Sequence, residues 1–253
     1  MVGSVELLTS PLIKARHGFP TRAGGVSGGD FSSLNTSYSV GDDAAHVGEN
    51  LARLAAAAGV APGQLATVTQ VHGDRVLRAE AGGVQGEADA VWTKTPGVVV
   101  GVRTADCLPI LVEDLAGGRV AAVHAGWRGV IAEIVLRAAE RLEADGARRE
   151  DLRFALGPAI QRCCFEVDGD LPARFAAAFG DEVVVTVAGK PRRHLDLSLA
   201  VRRGLERAGV APGQVSARQE CTACDARFFS HRRDAGRTGR HLSFIACGGA
   251  AGL

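Results

Sequence analysis

The chain has 253 residues, with 29 Lys and Arg against 28 Asp and Glu, an apolar fraction of 46% and six cysteines. At that length about 70–75% of the unfolded surface is buried on folding, so a core forms without disulfide staples. A net charge of +1 leaves no basic footprint for a phosphate backbone, which speaks against a nucleic-acid partner.

The opening MVGSVELLTSPLIK lacks the basic start and long apolar stretch of a secretory signal, so a cytoplasmic location is expected. The longest apolar runs, around Val98 to Val102 and Val120 to Val123, are far short of the ~20 residues that span a bilayer, and no membrane contact is expected. Thiols stay reduced in that compartment, which makes each cysteine a candidate for packing, metal binding or catalysis.

In chain order, the segment through Arg22-Ala-Gly-Gly-Val-Ser and Ser32-Ser-Leu-Asn35 is rich in Gly, Ser and Asn and reads as a long functional loop. Asp42-Asp43 then caps a helix carrying Val47, Leu51, Leu54 and Ala58 on one face, stopped by Gly59. Strands follow over Ala66 to Val71, Ala88 to Thr93, Val98 to Thr104, Leu108 to Glu113 and Val120 to His124. Gly126 opens a helix with Ile131, Ile134, Val135, Ala138 and Leu142 on one face. The remainder predicts a strand over Leu152 to Leu156, a helix near Leu171 to Phe179, a strand over Glu182 to Val187 and a helix over Leu197 to Ala208. Ala58-Gly-Val-Ala-Pro-Gly-Gln64 recurs as Ala208-Gly-Val-Ala-Pro-Gly-Gln214, each time between a helix and a strand. Without a composition break, residues 1–253 read as one domain. Helices and strands that do not alternate regularly predict an α+β fold of mixed-sheet α/β layers.

The strands flanking Asp114-Leu-Ala-Gly-Gly-Arg119 read as an antiparallel hairpin. If residues whose numbers sum to about 231 face each other, Cys107 opposes His124 with Cβ atoms ~4.5–5.5 Å apart. His72, at the end of a neighbouring strand, adds a second imidazole, and Gly73 after it permits close approach. One Cys and two His from three strand ends suit a tripodal zinc site with an open fourth position. Burial of Cys107 as a core thiol, with His72 and His124 capping strands, is the competing account. Cys221-Thr-Ala-Cys224 has the spacing of half a zinc ribbon, but His231, His241 and Cys247 do not complete a second ligand pair. It reads better as a turn with small buried thiols beside the active centre. Cys163 and Cys164 alternate faces if they lie on a strand, which favours core packing. Arg22 and Arg128, set among glycines, are candidates for anion binding. The Arg-rich stretch from Phe228 to His241 reads as a solvated basic face, or more sharply as a phosphate or carboxylate site.

His17-Gly-Phe-Pro-Thr-Arg-Ala-Gly-Gly-Val-Ser, Ser33-Leu-Asn35, Gln70-Val-His-Gly73, Ala88-Asp-Ala, Thr104-Ala-Asp-Cys-Leu-Pro-Ile, Ala122-Val-His-Ala-Gly-Trp-Arg-Gly, Gly157-Pro-Ala-Ile, Cys221-Thr-Ala-Cys, Phe229-Ser-His-Arg-Arg-Asp and Thr238-Gly-Arg occur in order over most of the chain. Together they resemble the purine nucleoside phosphorylase family formerly described as laccase-domain or multicopper polyphenol oxidase proteins. The resemblance implies a fold similar to that of the Cys–His hydrolases of the cytotoxic necrotizing factor type. It also implies a zinc tripod on His72, Cys107 and His124, which are then the catalytic residues, and substrate contacts from Arg22, Asn35 and Arg128. The implied activity is phosphorolysis of adenosine, inosine, guanosine and methylthioadenosine, with adenosine deamination alongside. The partners so implied are a nucleoside and phosphate, acting on a monomer or weak homodimer. Gln161-Arg162, Phe165 and Asn50-Leu51 depart from the family pattern and bear on substrate preference.

Deamination needs a metal-activated water and a proton shuttle, for which Asp89, Asp106 and Glu166 are the carboxylates to consider. A multicopper oxidase needs more imidazoles than the 7 His present, and its axial Met is missing because Met1 is the single methionine, so any copper at the tripod is adventitious. The alternative is a metal-free hydrolase with Cys107 activated by His124, acting on an amide such as a peptidoglycan precursor. A non-enzymatic thiol sensor that binds nucleosides is the third reading.

Overall fold

The structure, a computed structural model, describes residues 4–248. Its strands are β1 (Leu7–Leu8), β2 (His17–Pro20), β3 (Leu65–Thr69), β4 (Val76–Arg78), β5 (Gly83–Glu87), β6 (Ala90–Thr93), β7 (Val99–Thr104), β8 (Leu108–Asp114), β9 (Val120–Ala125), β10 (Leu152–Leu156), β11 (Glu166–Val167), β12 (Val184–Thr186), β13 (Arg193–Leu195), β14 (Val215–Ala217) and β15 (His241–Ala246). The α-helices are α1 (Ala44–Ala58), α2 (Trp127–Ile131), α3 (Ile134–Ala144), α4 (Leu171–Phe179) and α5 (Leu197–Arg207).

Two six-stranded sheets, ordered β1-β2-β15-β7-β3-β5 and β14-β10-β8-β9-β6-β4, pack against each other, and β11-β13-β12 form a small third sheet. Between the large sheets, Ala66, Val100, Val102 and Ile245 meet Val91, Leu111 and Ala122. The first sheet's outer face is covered by α1, where Leu54 and Ala58 pack on Val99, Leu242 and Phe244. The second sheet's outer face lies under α3, α4 and α5, with Ala138, Leu142, Phe175 and Val201 against Val112, Val123 and Phe154. Both faces of β8 and β9 are therefore covered, and every residue in those strands is buried. That is why their sequences read as apolar runs rather than alternating ones.

The α+β arrangement expected from the sequence, patterned on the cytotoxic necrotizing factor-type fold, needs correction. The parallel pairs β3–β5, β3–β7, β4–β6 and β10–β14 run within the same sheets as antiparallel ones, and helices cover both outer faces. Each sheet has two apolar faces to bury, and the chain meets that need by interleaving strands and helices in a mixed α/β fold.

Local chemistry explains most element ends. Asp43 caps α1 by accepting the N–H of Ala45 at 2.7 Å, and Gly59 ends it at φ +63°, a left-handed conformation that costs glycine nothing. The repeated Ala-Pro-Gly-Gln adopts the same conformation twice, a single 3₁₀ turn leading into β3 or β14. In each, a glutamine Oε1 accepts a backbone N–H three residues back, from Ala61 at 2.8 Å and from Ala211 at 2.9 Å. The helix expected to run unbroken from Gly126 divides into α2 and α3 because Glu133 takes φ +54°. Among the strands the sequence reading missed, β15 matters most, since it is wholly buried between β2 and β7. Among the described residues no helix is long and apolar enough to cross a membrane.

Candidate metal centre and substrate cavity

The hairpin closes through Asp114 and Arg119, whose backbones bond at 2.8 Å and whose side chains pair at 2.8 Å. Its register runs two residues beyond the expected one, with His124 facing Pro109 and Ala125 facing Leu108. Because side chains repeat every two residues along a strand, an offset of two keeps Cys107 and His124 on the same face as diagonal neighbours. His72 reaches them from the segment after β3. The Cys107 Sγ and the two imidazoles lie within 4.8 Å of one another, and the rings of His72 and His124 meet edge to face with centroids 4.9 Å apart.

Two backbone features hold this approach. A Cβ at Gly126 would stand 3.0 Å from His72 Nδ1 and 3.3 Å from Cys107 Sγ, so glycine leaves the room the three side chains occupy. His72 and Asp106 both take left-handed backbone, at φ +59° and +87°. Such conformations persist only where the surroundings over-determine them. The Asp106 carboxylate accepts from Thr222 Oγ1 and from the Arg232 N–H, both at 2.6 Å, and its carbonyl accepts from Ile160 N–H at 2.9 Å.

Asp89, fully buried ahead of β6, organises the centre. Its carboxylate accepts the backbone N–H groups of Val71, His72 and Gly73 at 3.2, 2.9 and 2.6 Å. It also accepts His124 Nδ1 at 2.7 Å. An ionised carboxylate only accepts, so Nδ1 of His124 carries the proton and Nε2 remains for the centre. Burial would raise the Asp89 carboxyl, but the hydrogen bonds from His124, Gly73 and Val71 outweigh it and hold it below its ordinary value. Burial likewise pushes the Cys107 thiol up, yet the His124 cation and hydrogen bonds from both histidines bring it down to about 6. For His124 burial is opposed by the Cys107 thiolate and by Asp89, which raise it to about 9. Without a metal the result is a thiolate facing the His124 imidazolium, with the His72 ring beside it; a metal ion bound there would take the place of the His124 Nε2 proton. That donor set fits a zinc or a copper ion alike, and its three members face a cavity of about 650 Å³.

The cavity gathers residues from several of the motifs above and adds Tyr38 and Arg103, which the sequence reading did not mark. Gln70, Arg103, Phe165, Arg240 and Tyr38 line it together with Asp106, Ile160, His231 and Arg232. Gln70 prolongs the pairing of β3 and β7 with its side chain, donating to the Arg103 carbonyl and accepting from its N–H, both at 2.7 Å. Arg103 was visible as the only charge inside an otherwise apolar strand, Val99 to Thr104. Phe165, noted in the sequence only as a departure from the family pattern, gave no signal of facing a cavity.

Of the residues proposed for substrate contact, none lines the cavity. Asn35 is buried beneath it, donating to the Ser37 carbonyl at 3.1 Å and to Asp42 Oδ2 at 2.9 Å, and accepting the Arg240 N–H at 2.9 Å. Arg22 stacks on Phe229 at 4.6 Å and Arg128 on Trp127 at 4.3 Å. Of the shuttle candidates, Asp106 borders the cavity with its carboxylate already engaged, Asp89 lies behind His124, and Glu166 sits outside. Two of the C-terminal arginines serve as staples. Arg232 donates to the carbonyls of Cys164 and Glu166, both at 3.1 Å, and Arg233 donates to those of Thr222 at 2.9 Å and Phe228 at 2.7 Å.

The structure also gathers Cys163, Cys164, Cys221 and Cys224. The core packing expected of the first pair assumed a strand. They lie in a turn instead, where adjacent side chains need not point to opposite sides. Cys221 is buried as expected, whereas Cys224 is exposed.

The family model for the multi-copper polyphenol oxidoreductase laccase matches residues 16–248. A purine nucleoside phosphorylase of Deinococcus radiodurans is 46% identical over 241 residues, covering 95% of this chain and 92% of that protein. Adenosine deaminase RL5, from an unknown prokaryotic organism, is 34% identical over 242 residues, covering 90% and 92%. Among solved structures, YlmD from Geobacillus stearothermophilus superposes with a TM-score of 0.90 at 31% identity, covering 98% of both chains. The YfiH protein of Bacillus licheniformis gives 0.89 at 30%, covering 96% of both. These matches complete the correction made on topology: the mixed α/β fold is that of the YlmD and YfiH proteins, in place of the cytotoxic necrotizing factor-type hydrolase fold.

Proposed function

Because the chain belongs to the family described as multi-copper polyphenol oxidoreductase laccase, whose relatives include enzymes named purine nucleoside phosphorylase, we propose that it phosphorolyses purine nucleosides. Adenosine, inosine, guanosine and methylthioadenosine are the substrates proposed, with adenosine deamination alongside. The observation that carries this reading is one cavity of nucleoside size with the Cys107, His72 and His124 donors on its wall and the cations Arg103 and Arg240 beside them.

His72, Cys107 and His124 would hold zinc, and a zinc ion held by them supplies Lewis acidity toward a substrate oxygen. Arg103 and Arg240 clamp phosphate, because guanidinium groups on a partly desolvated wall bind its oxygens through charge-assisted hydrogen bonds. Phe165 and Ile160 offer apolar surface to the purine. Asn35 acts as a positioning residue through its bonds to Ser37 and Arg240, and Asp89 as one through His124. His231, which makes no side-chain hydrogen bond among the described residues, can hand a proton to the departing base. Arg22 and Arg128 have no direct part in this reading.

The test is purified protein incubated with adenosine or inosine, with and without phosphate, measuring free base, ribose 1-phosphate and inosine beside a Cys107→Ala control. Phosphate-dependent base release that the variant lacks is expected. No turnover of any nucleoside by zinc-loaded protein overturns the proposal.

A second reading rests on the chain of Asp89, His124 and Cys107. A thiolate paired with an imidazolium that is itself oriented by a buried carboxylate is the arrangement of a thiol hydrolase. In it Cys107 Sγ attacks an amide carbonyl, His124 protonates the departing amine, and water releases the acyl group from sulfur. Side-chain geometry taken alone favours this reading, and the relatives' names favour the first. Zinc content with an alkylation assay separates them, since a thiolate bound to metal resists iodoacetamide and a free one with a lowered pKa reacts fast.

A further inference from the structure

Cys163 and Cys164 sit on the turn that follows β10, and Cys221 and Cys224 on the turn that follows β14. The two turns are joined by a parallel bridge between Ala159 and Cys221 and by the Thr222 N–H donating to the Ala159 carbonyl at 3.1 Å. Sγ of Cys224 lies 3.6 Å from that of Cys163 and 3.2 Å from that of Cys164, and all four sulfurs lie within 4.8 Å of one another. From this geometry we infer that the four cysteines form a second metal centre, a tetrathiolate site for one zinc ion.

Three observations carry it. Zinc binds thiolate at ~2.3 Å, so four sulfurs around one ion are about 3.8 Å apart, close to the spacing found. An iron–sulfur cube holds its cysteine sulfurs much further apart, at about 6 Å, too wide for this cluster. A backbone N–H is also aimed at one of the sulfurs: Gln161 N–H donates to Cys221 Sγ at 3.3 Å. A donor aimed at sulfur favours the thiolate over the thiol, the form a metal ion requires. Finally, both turns are clamped before any ion arrives, by Arg232 on the carbonyls of Cys164 and Glu166 and by Arg233 on that of Thr222.

The ion would be structural, since four protein ligands close its coordination. It would brace a wall of the cavity, because the first turn runs from Ile160 to Phe165, both of which line it. The Thr222 hydroxyl on Asp106 links the second turn to the residue before Cys107. This inference is independent of the reading proposed for the first centre.

The test is the zinc content of the full chain, purified under reductant, as wild type, as Cys163→Ser/Cys224→Ser and as His72→Ala/Cys107→Ala. About one zinc per chain is expected to disappear in the first variant and to survive in the second. Should that surviving ion be the only one the wild type holds, the tetrathiolate inference stands and the tripod does not bind zinc. Zinc content unchanged by Cys163→Ser/Cys224→Ser overturns the inference, as does intact mass showing these four cysteines in disulfides. If the double variant fails to fold, cobalt(II) added to Cys107→Ala protein decides the matter. The intense sulfur-to-cobalt charge-transfer absorption of four thiolates is expected there, and its absence overturns the inference.

Discussion

Two sulfur-bearing centres flank Asp106, and they are built in opposite ways. His72, Cys107 and His124 stand at strand ends, fixed by the ladder between β8 and β9 and by the buried Asp89 carboxylate behind them. The four cysteines stand on turns, fixed by arginine side chains reaching to backbone carbonyls. Cys107 has two imidazoles beside it and is held at about 6. Cys163 has other thiols for neighbours, and burial together with hydrogen bonds to Cys221 and Cys224 pushes it up to about 11. The metal-free thiols thus differ in what balances a negative charge: His124 stands ready to do so at the first centre, whereas only an added cation can at the second.

The largest effect that should break this contrast is loss of the carboxylate. Asp89→Asn leaves the His124 ring without its charged acceptor, and metal affinity at the first centre is expected to fall roughly 10–100-fold, read by chelator competition. The tetrathiolate should keep its ion throughout. Equal losses at both centres would show that Asp89 acts on overall stability rather than on His124.

Gly126→Ala should follow. Its Cβ would press on His72 Nδ1 and Cys107 Sγ, while the backbone at φ −70° accepts alanine. Displacement of reacting groups by a fraction of an ångström is expected to lower kcat/KM about tenfold with little change in Tm. Unchanged kinetics would mean that the centre has slack the geometry does not show.

Thr222→Val tests the link between the centres. It removes a donor from Asp106, a residue already in left-handed backbone, and a loss of about 1–3 kcal/mol in urea unfolding is expected. A variant as stable as the parent would uncouple the second turn from Cys107.

A last effect, absent at neutral pH and seen only in acid, separates the core from both centres. His241 is buried and neutral, pushed down to about 3 by burial and by the nearby Arg22 and Arg240 cations, from an ordinary value of 6.5. The unfolded chain therefore binds a proton that the folded chain refuses. This histidine's contribution is fully present above pH 6.5 and is lost as pH falls toward 3, by at most about 1.4 kcal/mol per pH unit. His241→Gln, whose Oε1 can take over the Phe229 N–H that Nε2 accepts at 2.8 Å, should flatten that slope in pH-dependent denaturation. A slope unaltered by the substitution would assign the acid sensitivity to other groups.

How legible each centre was in the sequence follows from how it is built. Strand periodicity carried the first: Cys107 and His124 share a face because a register error of two residues preserves side-chain parity. Asp89 was visible as a carboxylate in Ala88-Asp-Ala, but its task of orienting His124 was not, since 35 residues separate the two. The second centre had no such periodicity. Turns impose no rule on which way adjacent side chains point, so Cys163 and Cys164 could not be assigned to one site. Arg240 was marked as part of a basic stretch that could hold an anion, but its place beside Arg103 was not legible, because β15, the strand it precedes, was not recognised.

The sequence by itself determined the helix caps at Asp43 and Gly59, the apolar strands of the core, the hairpin around Asp114 and Arg119, and the three donors of the first centre. Each depends on contacts between residues near in the chain or on a repeat of fixed period. The tertiary structure alone decided that two sheets stack with helices on both outer faces, that Arg103 and Arg240 line one cavity, and that four cysteines from two turns converge. These depend on packing between segments 60 or more residues apart, whose approach is set by which apolar faces must be covered and leaves no local periodicity to read.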